Sequence, residues 1–364
     1  MKKISYLLSL GFLLGITSCD SDGYFSSTEA ALDSSGNGQG NQSGLITAAE
    51  WNDLENWEFW NDLIHGQAYS DKPDYWKFYT NKRISIVLKN NNAPVVDAKL
   101  ELFENGNVVW EAKSDNAGKA ELWIDLFQSS QSTDLNDYSL SVNGQIVNTA
   151  LNFFQDGVNE IEIDDNLSTS DRVELAFIVD ATGSMGDELE FLKDDLEDVI
   201  QSVENDHPTL NIYTSSVFYR DKGDDYVVRK SEFSGDLNTT LEFINNQSAG
   251  GGGDFPEAVH TALKTGIEEL QWSENAKTRI AFLVLDAPPH YTSKIIEDLH
   301  NSIEEASRKG VKIIPVTASG IDKETEFLMR FFSISTNSTY VFITDDSGIG
   351  NEHLAPSVGE YEVE

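Results

Sequence analysis

The chain is poor in sulfur, and that absence excludes two ways of stabilising a fold. It has one cysteine and three methionines in 364 residues. No internal disulfide is possible, and no thiolate zinc site can be assembled. Basic residues are also scarce: 25 Lys and Arg stand against 62 Asp and Glu, a formal charge of −37. A surface of that sign is poorly suited to neutralising phosphates, which disfavours nucleic acid and bare anionic membrane as partners. Long apolar runs are few, and only Ile4–Ile16 near the N-terminus stands out. It is too short for a stable membrane-spanning helix.

What is present is organised. Met1-Lys2-Lys3 and the apolar Ile4–Ile16 end in Ile16-Thr17-Ser18-Cys19. This resembles a bacterial lipobox, which implies a signal peptide over 1–18, removed on export, and a lipid on Cys19. The implied address is the bacterial cell envelope, extracytoplasmic, at the outer membrane or cell surface, with membrane contact through the N-terminal lipid only. Residues 19–44 are rich in Ser, Gly, Asn and Asp without periodicity and read as a flexible tether.

Residues 45–81 carry nine aromatic side chains and read as a helical or irregular segment that pins itself to a neighbouring domain. Thr47 with Glu50 reads as a capping box for a short helix. From 82 to 166 the pattern is all-β. Period-two strands such as Ala98–Phe103 are punctuated by Asn105-Gly106, Asp115–Gly118 and Asn143-Gly144. About seven short strands predict a small β-sandwich. The pattern is similar to transthyretin-like and carboxypeptidase-regulatory-like modules, and no functional residue is carried over from them.

From residue 171 onward, strands and helices alternate, which predicts a doubly wound, mostly parallel α/β sheet. The apolar strand Val173–Val179 ends in Asp180-Ala181-Thr182-Gly183-Ser184. Three oxygen side chains then lie on one tight turn before a helix. A second stretch, Ser248–Ala258, has four consecutive glycines followed by Asp254, Phe255, Pro256 and Glu257. It predicts a helix opening near Pro256 and running to about Gln271. A third, Arg279–Leu285, is another buried strand ending in a carboxylate, Asp286. In an open parallel sheet, ligands bind beyond the carboxyl ends of the strands, so Asp180 and Asp286 converge if their strands are neighbours.

The order of these three loops resembles the von Willebrand factor A domain. Its metal-ion-dependent adhesion site has the form D-x-S-x-S, here D-x-T-x-S. The resemblance covers roughly 171–364. It implies a divalent ion, Mg²⁺ first and Mn²⁺ or Ca²⁺ as alternatives, held by Asp180, Thr182, Ser184, Asp254 and Asp286. In the family the second loop usually supplies a Thr; here Asp254 takes the role. Neutral hydroxyl ligands leave part of the ion's charge uncancelled, so a protein ligand presenting an Asp or Glu carboxylate is the implied partner. The implied function is adhesion or binding, not catalysis.

Two alternatives stay open on the residues. Thr182–Gly186 nearly matches a nucleophile elbow, and Ser184, Asp286 and His353 follow in serine-hydrolase order. A metal-free scaffold is the other. The glycines and proline of 345–364 disfavour the terminal helix that A domains normally pack on the sheet.

Overall fold

The computed structural model describes residues 47–129, 133–164, 170–318, 320–345 and 357–358. The expected signal peptide (1–18), Cys19, the expected tether (19–44) and His353 lie outside them.

Two bodies are built on one chain. The first described strand is β1 (Thr47–Trp51), followed by helices α1 (Trp57–His65) and α2 (Lys72–Trp76). Eight strands then form a sandwich: β2 (Arg83–Asn90), β3 (Ala93–Pro94), β4 (Lys99–Glu104), β5 (Asn107–Lys113), β6 (Lys119–Trp123), β7 (Tyr138–Val142), β8 (Gln145–Val147) and β9 (Asn159–Glu162). One sheet has the order β3-β2-β6 with β9 parallel to β2, and the other runs β5-β4-β7-β8. Asn105-Gly106 and Asn143-Gly144 turn the β4–β5 and β7–β8 hairpins. Ile84, Ile86, Leu100, Leu102, Leu122 and Leu140 fill the space between the sheets.

The second body has β10 (Arg172–Asp180), α3 (Gly186–Asp206), β11 (Asn211–Tyr219), β12 (Val228–Lys230), α4 (Leu237–Asn245), α5 (Val259–Leu263), β13 (Thr278–Leu285), α6 (Ser293–Lys309), β14 (Val311–Thr317), α7 (Lys323–Ser335) and β15 (Tyr340–Asp345). Strand order is β1-β15-β14-β13-β10-β11-β12, parallel from β15 through β11 and antiparallel at both edges. β10 lies inside the sheet between β13 and β11, and its residues from Val173 to Asp180 are all buried. That double-sided burial is what its unbroken apolar run requires. α6 is capped by the Thr292 hydroxyl at its start and by Gly310 in the left-handed conformation at its end.

One sequence expectation changes. Thr47–Trp51 is not the first turn of a helix but the edge strand of the large sheet, antiparallel to β15. The aromatic segment pins itself to the second body, as its composition predicts, by covering α7. Trp60 stacks on Phe327 at 5.8 Å between ring centroids, and Phe78 on Phe331 at 3.9 Å. Glu326 accepts hydrogen bonds from the Tyr69 hydroxyl (2.7 Å) and from the Ser357 amide (2.6 Å). Every α7 residue from Thr325 to Ser335 is buried.

The sandwich docks at the amino ends of the parallel strands. Asp97 takes a two-pronged hydrogen bond from Arg279 (2.7 and 3.2 Å), Asp115 pairs with Lys312 (2.8 Å), and Ser307 donates to the Glu111 carbonyl (2.9 Å). The apolar core of the sandwich is continuous with the core under α5, α6 and α7. The carboxyl ends of the strands, at the opposite edge, stay clear of it.

Candidate metal centre

β10 and β13 are parallel neighbours in register, Val179 opposite Val284. This brings the ends of both strands, and with them Asp180 and Asp286, to one sheet edge. Asp180 has no solvent exposure. Its Oδ1 accepts two hydrogen bonds from Thr182, from the amide at 2.8 Å and the hydroxyl at 2.7 Å. Its Oδ2 has no partner. Burial pushes the carboxyl up to about 7 despite the two bonds from Thr182, and the negative charge of Asp286 raises it further. The Tyr219 hydroxyl lies close enough to favour the Asp180 charge but outside hydrogen-bond geometry, and it too is buried without a partner.

Asp286 is buried. Desolvation raises its carboxyl, and the Ser184 hydroxyl and its own backbone amide pull it back. Ser184 is exposed on the short turn that leads into α3. Strand ends and turn therefore bring Asp180, Thr182, Ser184 and Asp286 together.

Asp254 does not join them. It is exposed on the glycine loop. The helix expected from Pro256 begins only at Val259, and Lys264–Glu269 continues it in π-helical form. The backbone around Glu257 is extended instead. The Glu257 amide donates to the Pro288 carbonyl at 2.9 Å, so the second loop is stitched to the one after Asp286. This turns Glu257 inward, with 4% exposure and an unpartnered Oε2. Burial pushes its carboxyl up to about 9, helped by the charges of Asp180, Asp221, Asp224 and Asp286.

The glycines explain the close packing of the second loop. A Cβ on Gly251, whose φ is +81°, would stand 2.4 Å from the Asp224 carboxylate. A Cβ on Gly252 would meet Glu257 Oε1 at 3.3 Å and Thr182 Cβ at 3.5 Å. Asp224 Oδ2 accepts from the amides of Gly252 (2.9 Å) and Asp221 (3.1 Å), and Asp221 Oδ1 pairs with His290 Nε2 at 2.8 Å. Arg220 braces both loops from behind. Its Nε donates to the Ala181 carbonyl at 3.1 Å and its Nη2 to the Ser248 carbonyl at 2.6 Å. Nothing in the local sequence singles out Arg220, and Glu257 reads there only as a helix-start acid.

The residues fit a hard divalent cation. The available donors are all oxygens, two carboxylates and two hydroxyls, and one buried carboxylate oxygen lacks a donor. Among the described residues no three His, Cys, Asp or Glu side chains stand together at metal-ligand spacing. A shell built on the side chains as placed therefore relies on the hydroxyls and on bound water, which suits Mg²⁺. For hydrolase chemistry, Ser184 and Asp286 are together, whereas His353 lies outside the described residues; the described histidine nearby, His290, is engaged by Asp221.

Residues 174–349 match the family model for the von Willebrand factor A domain. A stretch of 131 residues, 36% of this chain, is 32% identical to the putative ariadne-like RING finger protein R811 of Acanthamoeba polyphaga mimivirus and covers 12% of it. A stretch of 149 residues, 40% of this chain, is 31% identical to the alpha-protein kinase vwkA of Dictyostelium discoideum and covers 23% of it. The chain thus spans less than a quarter of the length of these two relatives. The pilus adhesin SpaC of Lactobacillus rhamnosus GG, in its open conformation, superposes over 50% of this chain and 28% of its own, with 13% identity and a TM-score of 0.37.

Proposed function

Because residues 174–349 form a von Willebrand factor A domain, we propose that this chain is a binding or adhesion protein whose A domain uses a divalent cation to capture an acidic group on a protein partner. Asp180, Thr182, Ser184 and Asp286 hold the ion, most suitably Mg²⁺, and Cys19 anchors the chain by lipid in the cell envelope. The observation that carries the reading is the Asp180 Oδ2 atom. It is fully buried at the end of β10, no donor stands in hydrogen-bond geometry to it, and Thr182, Ser184 and Asp286 lie around it. Left alone, such an oxygen costs about 1–3 kcal/mol. A cation removes that cost. Bound there, the ion supplies an electrophilic point for an outside carboxylate, because two neutral hydroxyls leave its charge partly uncancelled.

The sheet architecture supports the same reading. The sandwich packs at the amino ends of the strands, so it leaves the carboxyl edge to a partner, and the aromatic segment reaches that edge only where Tyr75 stacks on Tyr291 of the loop after Asp286. The test is calorimetric titration of Mg²⁺, Mn²⁺ and Ca²⁺ into metal-stripped protein, beside Asp180→Ala. Saturable one-site binding that the substitution abolishes is expected. Equal binding by both proteins, or none by either, overturns the metal reading and leaves the A domain as a scaffold.

A further inference from the structure

We propose that the aromatic segment carries a second binding site, a cavity beside α1 and α2 that takes one neutral sugar ring. The cavity shares no residue with the ion site, and the inference does not rest on that site.

The cavity has a volume of about 250 Å³. Trp60, Phe78 and Phe327 close its floor, and all three are buried. The Trp60 ring is fixed there by its indole nitrogen, which donates to the Thr80 hydroxyl at 2.9 Å. Ile64, Pro73 and Tyr79 are its half-buried walls. Tyr79 is held at both ends: its amide donates to the Leu126 carbonyl at 2.8 Å and its hydroxyl to Asp74 at 2.9 Å. The shape therefore exists before a ligand arrives, which lowers the cost of binding one.

Charge sets the first limit on the occupant. Residues 60–82 include Asp62, Asp71, Lys72, Asp74, Lys77 and Lys82. Yet among the described residues no Asp, Glu, Lys or Arg lines the cavity. An ionised ligand would find no counter-charge there, so the occupant is neutral. It is not a hydrocarbon, because the rim is polar. Asn61, Ser70 and Asn81 line it, and no hydrogen bond among the described residues uses their side chains. His65 Nδ1 donates to the Asn61 carbonyl at 2.6 Å, which leaves Nε2 of the neutral ring as an acceptor. Amides and a hydroxyl both donate and accept, as the hydroxyls of a sugar do.

Size sets the second limit. A dry cavity of about 150 Å³ holds a benzene ring, and pockets for drug-sized ligands begin near about 300 Å³. The volume here falls between them. It takes a six-membered ring with its hydroxyls and is too small for more than one residue of a glycan. The apolar faces of such a ring suit Ile64, Pro73 and Tyr79, and its hydroxyls suit Asn61, Ser70 and Asn81.

The experiment is saturation-transfer difference NMR on the full chain. The probes are methyl glucoside, methyl galactoside, N-acetylglucosamine, glucuronate and N-acetylalanine amide, each at up to about 10 mM, tenfold above a millimolar dissociation constant. At least one neutral sugar is expected to take saturation from wild type, and glucuronate at least tenfold less. Ser70→Trp, which blocks the cavity from an exposed position, and Asn81→Ala, also exposed, should each weaken that sugar at least tenfold. Thermal melts of both variants separate loss of the site from loss of the fold. The transfer should be the same in chelator and in Mg²⁺. No transfer to any neutral sugar overturns the proposal, as does equal transfer to glucuronate. Equal transfer in Ser70→Trp and wild type, or dependence on Mg²⁺, places the sugar elsewhere and overturns the site. Stronger transfer to N-acetylalanine amide than to every sugar assigns the cavity to a peptide and overturns the sugar.

Discussion

Asp53 and Arg330, 277 positions apart in the chain, form an ion pair with no solvent exposure on either side chain. Arg330 Nε donates to Asp53 Oδ2 at 3.0 Å, and Arg330 also approaches Glu326 and the Ser357 carbonyl. The pair ties the segment before the sandwich to α7, the last described helix of the A domain. Removing one partner leaves a buried charge uncompensated, at about 3–5 kcal/mol. Asp53→Ala should therefore lower the urea midpoint of the whole chain by that equivalent, whereas an exposed acid such as Glu58→Ala should leave it within about 0.5 kcal/mol. Equal midpoints for Asp53→Ala and wild type would deny the pair its structural role.

The A domain should not fold when cut off just before β10. A chain beginning at residue 171 lacks β1, which completes the sheet beside β15, and lacks Trp60, Tyr69 and Phe78, which bury Phe327 and Phe331. Near-UV circular dichroism is expected to show fixed aromatic packing for 47–364 and little for 171–364. A cooperative thermal transition in the shorter chain would show that the aromatic segment is dispensable.

Stability of the metal-stripped protein should fall as pH rises from about 5 to 8. Asp180, Glu188 and Glu257 have carboxyls pushed up to about 7, 8 and 9, each chiefly by burial. A folded-state pKa above the unfolded value means that the folded protein binds more protons in this window. The stabilisation from the neutral acids is thus present at low pH and lost as pH passes through the folded values. Asp180→Asn should flatten the lower part of this slope, and saturating Mg²⁺ should reverse it for wild type. Melting temperatures across pH in chelator and in Mg²⁺ measure both.

Gly251→Ala combines a left-handed backbone with a Cβ only 2.4 Å from the Asp224 carboxylate. The expected cost is about 1–3 kcal/mol, concentrated in the glycine loop. Metal affinity should drop more than global stability does. An alanine variant with unchanged affinity and melting temperature would mean that the loop adapts freely.

Much of this was legible along the chain because it depends on local pattern. β10 and β13 announce themselves as apolar runs ending in acids, and a parallel sheet must place those ends at one edge. The D-x-T-x-S turn carries its own geometry, since Thr182 bonds Asp180 two residues away. What was hidden depends on partners distant in sequence. Thr47–Trp51 becomes a strand because β15 offers an edge, a reason absent from its own residues, which also satisfy a helix-capping pattern. Glu257 turns inward because Pro288 captures its amide, so the acid beside a helix-favouring proline is not at a helix start. Arg220 is an unremarkable base until its guanidinium meets two carbonyls contributed by separate loops.

The pairing of β1 with β15 also governs how the molecule is made. The first described strand has its neighbour at the far end of the described chain, Thr47 against Asp345. During synthesis β1 emerges early and must wait, unpaired, for nearly three hundred residues before its edge exists. The sandwich needs only local hairpins and can close during that interval, while the large sheet stays one strand short. Contacts this remote slow folding and expose strand edges while they wait. The last step of assembly is therefore the closing of a loop that contains both bodies, and the aromatic rings beside β1 gain their buried surface only then.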